Sequence, residues 1–288
     1  MNILITGAGG LLGHEVCQNL LKHHQLTILT REAPKTANPS INYFVCDLSQ
    51  DFNTDEFPKN IDVIVHLAQS PFYREFPNRA DHVFNVNCAA TAKLLAFAAA
   101  QNVKHFIYTS TGSVYEPYDT SMEESISITP NSFYANSKLI AERLFAPYET
   151  YFKISVLRLF FLYGPHPDKK QTVINNLLQR LQEHQEITID GKQGGLKFVP
   201  TLTKDVARCI EQVITLGITG TINIANPEAI CIEELVNIMA NKLGVTPNIK
   251  RNMENEAMTI VPNLDKMQAA LPNVKFTPFA EGMLSLLK

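Results

Sequence analysis

Short apolar segments alternate with amphipathic segments through the first half of the chain. Leu12, Val16 and Leu20 recur at every fourth position, which predicts one face of a helix. The full set of predicted strands in this half is Ile3–Thr6, Leu26–Leu29, Tyr43–Val45, Val63–Leu67, Phe106–Thr109 and Ser155–Leu159, and the longer predicted helices are Asp81–Gln101 and Ser132–Tyr148. Strands that alternate with helices in this way predict a parallel α/β sheet with right-handed crossovers.

The regularity weakens after Gly164-Pro165, where shorter helices are separated by short strands. The helices predicted there lie at about Thr172–Glu183, Lys204–Leu216 and Ile232–Leu243. Thr203 is the predicted N-cap of the second of these helices, and Gly244 the stop of the third. We therefore predict an α/β fold with a doubly wound parallel sheet in residues 1–165. Residues 166–288 are predicted to form mainly a smaller α/β substrate lobe, with some segments returning to the main sheet.

Composition narrows the function classes. The 288-residue chain has a formal net charge of −3 without a block of like charges, and 45% of its residues are hydrophobic. This composition is typical of a soluble protein and argues against binding to nucleic acid or to a membrane. The N-terminus lacks a signal-peptide pattern and the five cysteines are widely separated, which predicts a reduced, cytoplasmic protein. The eight histidines show no metal-ligand spacing, so no metal site is predicted.

A glycine-rich loop lies between the first predicted strand and the first predicted helix. Gly7, Gly10 and Gly13 are three residues apart, and Leu11 and Leu12 lie between the last two. Glycine allows positive φ in a tight turn and lets the backbone approach a pyrophosphate closely. The N–H groups at the start of the helix then face that anion. This placement is typical of the Rossmann dinucleotide-binding fold, and we expect these five residues to bind the cofactor.

The end of the second predicted strand bears on the choice of dinucleotide. An NAD-selective Rossmann protein usually has an acidic residue there, which binds the ribose hydroxyls. This chain has Thr30 and Arg31 instead, which leave room and positive charge for the 2′-phosphate of NADP. Glu32 is an alternative ligand for the ribose. The sequence therefore favours NADP and leaves NAD open.

Tyr134 and Lys138 are four residues apart in a predicted helix, so their side chains lie on one face, one turn apart. Hydride transfer at an alcohol carbon needs a group that exchanges the hydroxyl proton. A tyrosine, with an ordinary pKa of about 10, does this near neutral pH only when its phenolate is stabilised, for example by a neighbouring ammonium. The fifth predicted strand ends in a polar stretch, where such sheets bind ligands. There Thr111, Ser110 or Ser113 can donate a hydrogen bond to a substrate oxygen.

Together these motifs resemble the extended short-chain dehydrogenase/reductase family, in the NAD-dependent epimerase/dehydratase group that includes UDP-galactose 4-epimerase. The resemblance covers nearly the whole chain. Besides the glycine loop, it is carried by Cys46-Asp47-Leu48, His66-Leu67-Ala68, Asn85-Val86-Asn87, Thr109–Tyr115, Tyr134–Lys138, Arg158 with Tyr163-Gly164-Pro165, Asp205-Val206-Ala207 and Asn263–Lys266.

The resemblance implies roles for individual residues. Thr111, Tyr134 and Lys138 would form a catalytic triad, and Asp47 and Leu48 would flank the adenine. The other implied cofactor-binding residues are Leu67 and Ala68 beside the pyrophosphate and ribose, Asn87 as support from the long helix, Arg31, Thr109, Phe161, and Tyr134 and Lys138 themselves.

Departures from the family pattern concern the substrate. Many members have an asparagine that touches the nucleotide sugar where this chain has Phe161, and an Arg-Asp-aromatic segment near Leu196-Lys197-Phe198. Arg251 loosely matches an arginine that holds the substrate pyrophosphate. Ser113, Phe161 and Arg251 are accordingly the predicted substrate residues. The 4,6-dehydratases have Thr-Asp-Glu where this chain has Thr111-Gly112-Ser113, which argues against water elimination.

The function that the resemblance implies is an NAD(P)-dependent oxidoreductase or epimerase acting by hydride transfer at a sugar hydroxyl or ketone, with a nucleotide sugar favoured. The short chain and Phe161 keep open an NADPH-dependent reductase of a smaller carbonyl compound. A third hypothesis is a regulator that senses NADP without turnover, and the intact Tyr134–Lys138 pair argues against it. The expected partners are a small-molecule substrate and, by analogy, a second copy of the chain bound through the Asp81–Gln101 and Ser132–Tyr148 helices.

Overall fold

Within the described residues of the computed structural model, which are 1–118, 121–166, 172–254 and 256–287, seven parallel strands form the main sheet. In chain order the strands are β1 (Asn2–Thr6), β2 (Gln25–Thr30), β3 (Ile41–Val45), β4 (Val63–His66), β5 (His105–Thr111), β6 (Lys153–Leu159), β7 (Leu162–Tyr163), β8 (Ile187–Asp190), β9 (Lys197–Phe198), β10 (Thr201–Leu202), β11 (Gly220–Ile224), β12 (Ile230–Cys231), β13 (Ile249–Asn252) and β14 (Thr259–Ile260). The α-helices are α1 (Leu11–Leu20), α2 (Ala80–Phe84), α3 (Ala90–Ala100), α4 (Phe133–Arg143), α5 (Val173–Gln182), α6 (Thr203–Leu216), α7 (Ile232–Leu243), α8 (Asp265–Ala270) and α9 (Phe279–Gly282).

The order of the main sheet is β11-β6-β5-β4-β1-β2-β3, and neighbouring strands are parallel. The chain winds outward from β1 to β3 on one side and then from β4 outward on the other. This is the doubly wound Rossmann arrangement, so the predicted fold class is confirmed. The reversal between β1 and β4 opens a crevice at the carboxyl ends of these strands, which is where open α/β sheets bind ligands.

Helices cover both faces of the sheet, and alternate residues of β1 contact the two layers. Ile3 and Ile5 belong to one buried cluster with residues of α1 and α6, whereas Leu4 belongs to another with residues of α3. Successive side chains of a strand point to opposite faces, so a strand covered on both faces must be apolar throughout. The apolar strand segments in the sequence therefore mark the centre of this sheet.

Two predicted helix boundaries are wrong. The helix predicted at Ser132–Tyr148 ends at Arg143, and a separate 3₁₀ turn follows at Ala146–Tyr148. Pro147 lies in that turn, and a proline has no N–H to donate to a continuing helix. Thr203 is the first residue of α6 rather than its N-cap, because β10 runs directly into the helix and Leu202 takes the cap position.

The long helical stretch Ala80–Ala100 combines α2 and α3 through a π-helical turn at Asn85–Ala89. Its 21 residues have the length and, with a mean hydropathy of 1.4 in its best window, the composition of a membrane span. In this structure 56% of that window is buried inside the molecule. The buried core helix of a soluble protein can have the same length and hydropathy, so this helix is only weak evidence for a membrane-spanning segment.

The chain after residue 172 contributes both to the main sheet and to a separate cluster. β11 extends the main sheet beside β6, and α6 packs against α1. Elsewhere β8 pairs with β13, β9 pairs with β12 and β14, and α5 packs against α7. Except for β14, whose Ile260 packs in the cluster of the main sheet, these shorter elements share a third buried cluster with Tyr163 and Phe198. The assignment of cofactor binding to residues 1–165, and of substrate binding mainly to residues 166–288, stays a proposal.

Candidate active site

The glycine loop follows β1 and leaves no room for side chains at two of its three spaced positions. Gly7 has a φ of +74°, and a Cβ there would lie 2.7 Å from the backbone N of Ala68. A Cβ on Gly13 would lie 2.2 Å from the carbonyl oxygen of Gly7. At Gly10 the nearest atom would be 3.2 Å away, and at Gly9 nothing lies within 4 Å. The loop is therefore held tightly against the end of β4, with Gly10 on its open side.

The start of α1 fits a dinucleotide pyrophosphate. Gly10 occupies the N-cap position without a side-chain cap, and the first turn contains no acidic residue. The first N–H groups of a helix have no partner within it and carry its positive dipole end, so they remain available to an anion. Leu11 and Leu12 are the first two residues of α1, so their backbone N–H groups are among those available to the anion. The backbone of Leu67 lies beside Gly7. The loop residues predicted from sequence are thus brought together in one cradle.

A buried chain of hydrogen bonds connects this cradle to the long helix. The N–H of Ala68 donates to Thr6 Oγ1 (3.1 Å), which lies 2.6 Å from His66 Nδ1. His66 Nε2 lies 3.0 Å from Thr91 Oγ1, and that hydroxyl donates to the carbonyl of Asn87 (2.8 Å). Because Thr91 uses its only proton there, His66 must donate from Nε2 and accept from Thr6 at Nδ1. Burial lowers the pKa of His66 to about 3, which keeps the ring neutral.

Asn87 continues this chain toward the catalytic helix. It is fully buried, accepts from the N–H of Ser70 (3.0 Å) and donates to Ser137 Oγ (2.9 Å). Ser137 in turn donates to the carbonyl of Tyr134 (2.7 Å). Asn87 therefore connects the loop after β4 to α4, and its implied role at the cofactor stays a prediction. Sequence reasoning missed the partners Thr6, Thr91 and Ser137, because isolated hydroxyl residues carry no spacing signal.

Tyr134 lies in the first turn of α4, where Ser132 caps the helix by accepting from the N–H of Ala135 (3.2 Å). The Tyr134 hydroxyl donates its only proton to Gln69 Oε1 at 2.8 Å, so in any hydrogen bond between Tyr134 and Thr111 the Thr111 hydroxyl is the donor. Burial raises the pKa of Tyr134 above its usual value, and the Thr111 bond opposes that shift. Gln69 was not singled out from the sequence, although it directly follows Ala68 at the carboxyl end of β4.

Lys138 lies one helical turn after Tyr134 and is 1% exposed. Its Nζ lies 4.4 Å from the centre of the Tyr108 ring, a favourable cation–π position. Burial lowers the pKa of Lys138 to about 7, and the Glu142 carboxylate opposes this shift. A ligand hydroxyl that accepts a hydrogen bond from Nζ would favour the charged form.

The three hydroxyls proposed at the end of β5 occupy different environments. Ser110 is buried and donates to Glu142, which also pairs with Arg158 at 2.7 Å, so its hydroxyl is engaged away from Tyr134. Thr111 accepts from the N–H of Ser113 at 3.2 Å, and its own proton is directed toward the Tyr134 oxygen, where a substrate oxygen would also lie. The geometry favours Thr111 as the donor. Ser113 is half-buried beside it.

The next predicted cofactor-binding residues are Thr109 and those at the adenosine end of the site. Thr109 is buried and donates to the carbonyl of His66 (3.3 Å), which ties β5 to β4. Asp47 is half-buried and accepts from the N–H and hydroxyl of Ser49 at 2.9 and 2.8 Å. Partial burial acts to raise the pKa of Asp47, but these bonds and the charge of Arg31 outweigh it and lower the pKa. Arg31 is exposed, and Leu48 is buried in the core.

The predicted substrate residues do not form one cluster. Phe161 has a φ of +41°, rare for an aromatic residue, and its ring packs edge-on against Phe198 at 4.8 Å. Arg251 lies on β13, pairs with Glu233 and lines a cavity of about 580 Å³. The lining of that cavity includes none of the predicted catalytic residues. In the described part of the chain, no three His, Cys, Asp or Glu side chains are grouped to hold a metal ion.

Two relatives are similar in sequence to this chain over most of its length. The uncharacterized UDP-glucose epimerase YtcB of Bacillus subtilis is 26% identical over 264 residues, which cover 85% of this chain and 83% of that protein. UDP-glucuronic acid decarboxylase 6 of Arabidopsis thaliana is 24% identical, with 96% and 85% covered.

Solved structures show the same fold over nearly the whole chain. MoeE5 in complex with UDP-glucose and NAD has a TM-score of 0.83 and 25% identity, with 99% of this chain and 97% of that chain covered. UDP-glucuronic acid 4-epimerase from Bacillus cereus in complex with UDP-glucuronic acid and NAD also has a TM-score of 0.83, with 23% identity and the same coverage.

The model of the NAD dependent epimerase/dehydratase family matches residues 3–225. That span includes the glycine loop after β1, the end of β5 and both Tyr134 and Lys138 on α4. Since the match covers most of the chain and the whole predicted site around Tyr134, this chain belongs to the NAD dependent epimerase/dehydratase family.

Proposed function

We propose that this chain is an NAD(P)-dependent epimerase that acts by hydride transfer at a sugar hydroxyl of a nucleotide sugar. The observation that carries the proposal is the placement of Tyr134 and Lys138 one turn apart on α4, with Thr111 near Tyr134 at the carboxyl end of β5. The relatives named as a UDP-glucose epimerase and a UDP-glucuronic acid decarboxylase support a nucleotide-sugar substrate.

The chemistry assigns one task to each of these residues. A nicotinamide dinucleotide, held by the glycine loop and the start of α1, would supply the acceptor for a hydride from the sugar carbon and the donor for its return. Tyr134, as the phenolate, takes the hydroxyl proton and gives it back, while the Thr111 hydroxyl orients the same oxygen. Lys138 binds hydroxyls of the cofactor and adds positive charge near the phenolate. The buried chain from Thr6 to Asn87 holds the cradle and α4 in register.

The proposed cofactor is NAD or NADP, held at the glycine loop and the start of α1. The solved structures of MoeE5 and of the Bacillus cereus epimerase contain NAD, which supports NAD for this chain. The end of β2 still favours a 2′-phosphate, because Thr30 adds no negative charge and Arg31 is exposed beside it. Residues 1–165 would bind this cofactor and residues 166–288 mainly the substrate.

Incubation of the purified protein with UDP-glucose, UDP-glucuronic acid and UDP-N-acetylglucosamine tests the activity. We expect a 4-epimer of at least one of them, detected by proton NMR. The Tyr134→Phe variant should form product about two or more orders of magnitude more slowly. Tyr151→Phe, which alters a tyrosine that is 66% exposed, should match the wild type. Cofactor binding without product from any sugar would oppose epimerase activity and favour a sensing role.

A reductase of a smaller carbonyl compound is the second candidate, and the Phe161–Phe198 contact favours it. The half-buried Phe161 presents an apolar ring where many family members have an asparagine, and the buried Phe198 packs behind it. This candidate predicts steady consumption of NADPH with a small ketone, whereas an epimerase consumes no net cofactor. The absorbance of reduced nicotinamide should fall steadily for a reductase and stay constant for an epimerase.

We also propose that the protein is cytoplasmic and forms a homodimer through the α2–α3 and α4 helices. Phe84 and Ile140 lie on these helices and are 47% and 43% exposed. Large exposed apolar side chains on adjacent helices are typical of a protein contact. Light scattering should give twice the mass of the 32.2 kDa chain, and Ile140→Asp should give the monomer. A wild-type monomer would oppose the dimer without affecting the proposed activity.

A further inference from the structure

Gln69 makes a contact with the reacting hydroxyl that neither the motifs nor the family roles account for. It follows β4 and Ala68, at the sheet edge where Thr111 ends β5. The Tyr134 hydroxyl donates to its Oε1 at 2.8 Å. The rest of the Gln69 side chain is exposed, so its carboxamide is free to rotate.

We infer that Gln69 is a further catalytic residue, which hydrogen-bonds the Tyr134 oxygen in both of its protonation states. The inference rests on the proposed function, because it requires Tyr134 to exchange a proton with the substrate. It extends that function by adding a neutral group that responds to the exchange.

The physical basis is that a carboxamide has both an acceptor and a donor. While Tyr134 is protonated, its O–H donates to Gln69 Oε1, as in this structure. When Tyr134 is the phenolate, a half-turn about the Cγ–Cδ bond presents Nε2–H to it. The proton then moves from the substrate hydroxyl to the phenolate oxygen as hydride leaves the carbon for the cofactor. Gln69 turns back to accept, and no bond of its own breaks.

The surroundings of Tyr134 make such a donor useful. Glu116, Tyr73 and Tyr118 face it and act to raise its pKa, in addition to burial. On the other side are the Thr111 hydroxyl and, one turn along α4, Lys138. Thr111 must also serve the substrate oxygen. A hydrogen bond to a charged group is worth more than one to a neutral group, so Nε2–H stabilises the phenolate selectively.

A competing explanation is that Gln69 only fills the place of the substrate hydroxyl when substrate is absent. It would then leave Tyr134 as substrate binds and would not affect proton exchange. In that case removal of the carboxamide strengthens substrate binding and lowers the pH at which Tyr134 ionises, because only the protonated form of Tyr134 loses a hydrogen bond. The two explanations therefore differ in a measurable quantity.

The test is the pH midpoint of Tyr134 ionisation in the protein saturated with oxidised cofactor. Ultraviolet absorbance of tyrosinate reports it, as the difference between each protein and its Tyr134→Phe counterpart. Gln69→Leu should raise the midpoint by about one pH unit, since the lost bond is partly exposed to water. Gln69→Glu should raise it further, because a carboxylate cannot donate and repels the phenolate. The low-pH limb of kcat/KM should move by the same amounts.

Gln179→Leu is the matched control, since Gln179 is an exposed glutamine on α5 whose amide donates to Glu183. It should leave the midpoint at the wild-type value. An unchanged or lowered midpoint in Gln69→Leu, with or without tighter substrate binding, overturns the inference. Turnover by Tyr134→Phe would instead overturn the proposed function, and the absorbance midpoint would still report on the Gln69 contact.

Discussion

At the scale of the residue, cofactor choice depends on the charges of Arg31 and Asp47 at the adenosine end. Arg31 can pair with a 2′-phosphate, but the nearby Asp47 carboxylate offsets part of its charge. Arg31 is also exposed, so water screens the contact. We expect the wild type to bind NADP more tightly than NAD by about tenfold or less.

Four dissociation constants measure this preference: both dinucleotides with the wild type and with Arg31→Ala. The substitution should remove most of the difference by weakening NADP binding. Lys35→Ala removes a charge from the same exposed segment and should change neither constant. Equal or tighter binding of NAD by the wild type would show that Glu32 or Asp47, rather than Arg31, dominates this end of the site.

The sequence indicated those candidate residues that belong to a motif or have a regular spacing. It did not indicate residues such as Gln69, whose only signal is one contact with a residue distant in sequence. Tyr134 and Lys138 were predicted as a pair because four residues make about one helical turn, and the structure places both on α4. Gln69 has no such pattern, since its contact with Tyr134 depends on how β4 and α4 are placed in space. Arg251 was predicted near the substrate by a loose match along the chain, and the structure pairs it with Glu233 at a separate cavity.

At the scale of the element, the effect of a substitution in the glycine loop on stability and cofactor affinity should depend on the space around the new Cβ atom. Gly13→Ala places a Cβ 2.2 Å from the Gly7 carbonyl, so it should lower the melting temperature and abolish cofactor binding. Gly10→Val should keep most of the fold and lose cofactor affinity, because its side chain would stand on the open side of the cradle.

Gly9→Ala is the control for this series, since a Cβ there meets nothing within 4 Å. Its melting temperature and its affinity for the cofactor should match the wild type. Calorimetric titration and thermal melting measure both properties. Unchanged affinity in Gly10→Val would mean that the loop is a tight turn without a role in binding.

Most elements were predictable because periodicity reports burial, and α7 matches its predicted range, Ile232–Leu243. The end of α4 was not, because the apolar pattern continues past Arg143 as Leu144 and Phe145 while Pro147 stops the helix. The π-turn at Asn85–Ala89 also gave no signal. Its position depends on contacts of Asn87 with Ser70 and Ser137, which are distant in sequence.

At the scale of the whole molecule, two buried neutral histidines make stability depend on pH. Burial lowers the pKa of His66 to about 3 and of His105 to about 4. The unfolded chain binds these protons below about pH 6.5, and the folded protein does not. The contribution of the two neutral rings to the free energy of unfolding is therefore fully present above about pH 6.5, and it is lost as the pH falls toward the pKa values of the folded state. Each histidine should remove about 2 kcal/mol between pH 7 and pH 5.

Urea unfolding at pH 7, 6 and 5 measures this slope. His105→Gln keeps a donor for Ser155 and should flatten the slope by the share of one histidine. His23→Gln alters an exposed histidine and should leave the slope unchanged. A free energy of unfolding that is constant from pH 7 to pH 5 would contradict the buried, neutral state of both rings.

The most direct test of the central claim is turnover and cofactor affinity measured together in Tyr134→Phe. The substitution removes only the hydroxyl that meets Thr111 and Gln69, and it leaves the glycine loop and Lys138 in place. We predict a cofactor dissociation constant within about twofold of the wild type and a loss of about two or more orders of magnitude in kcat on the nucleotide sugar that the wild type converts. Turnover within tenfold of the wild type, with the cofactor bound, would show that Tyr134 is not the residue that transfers the proton.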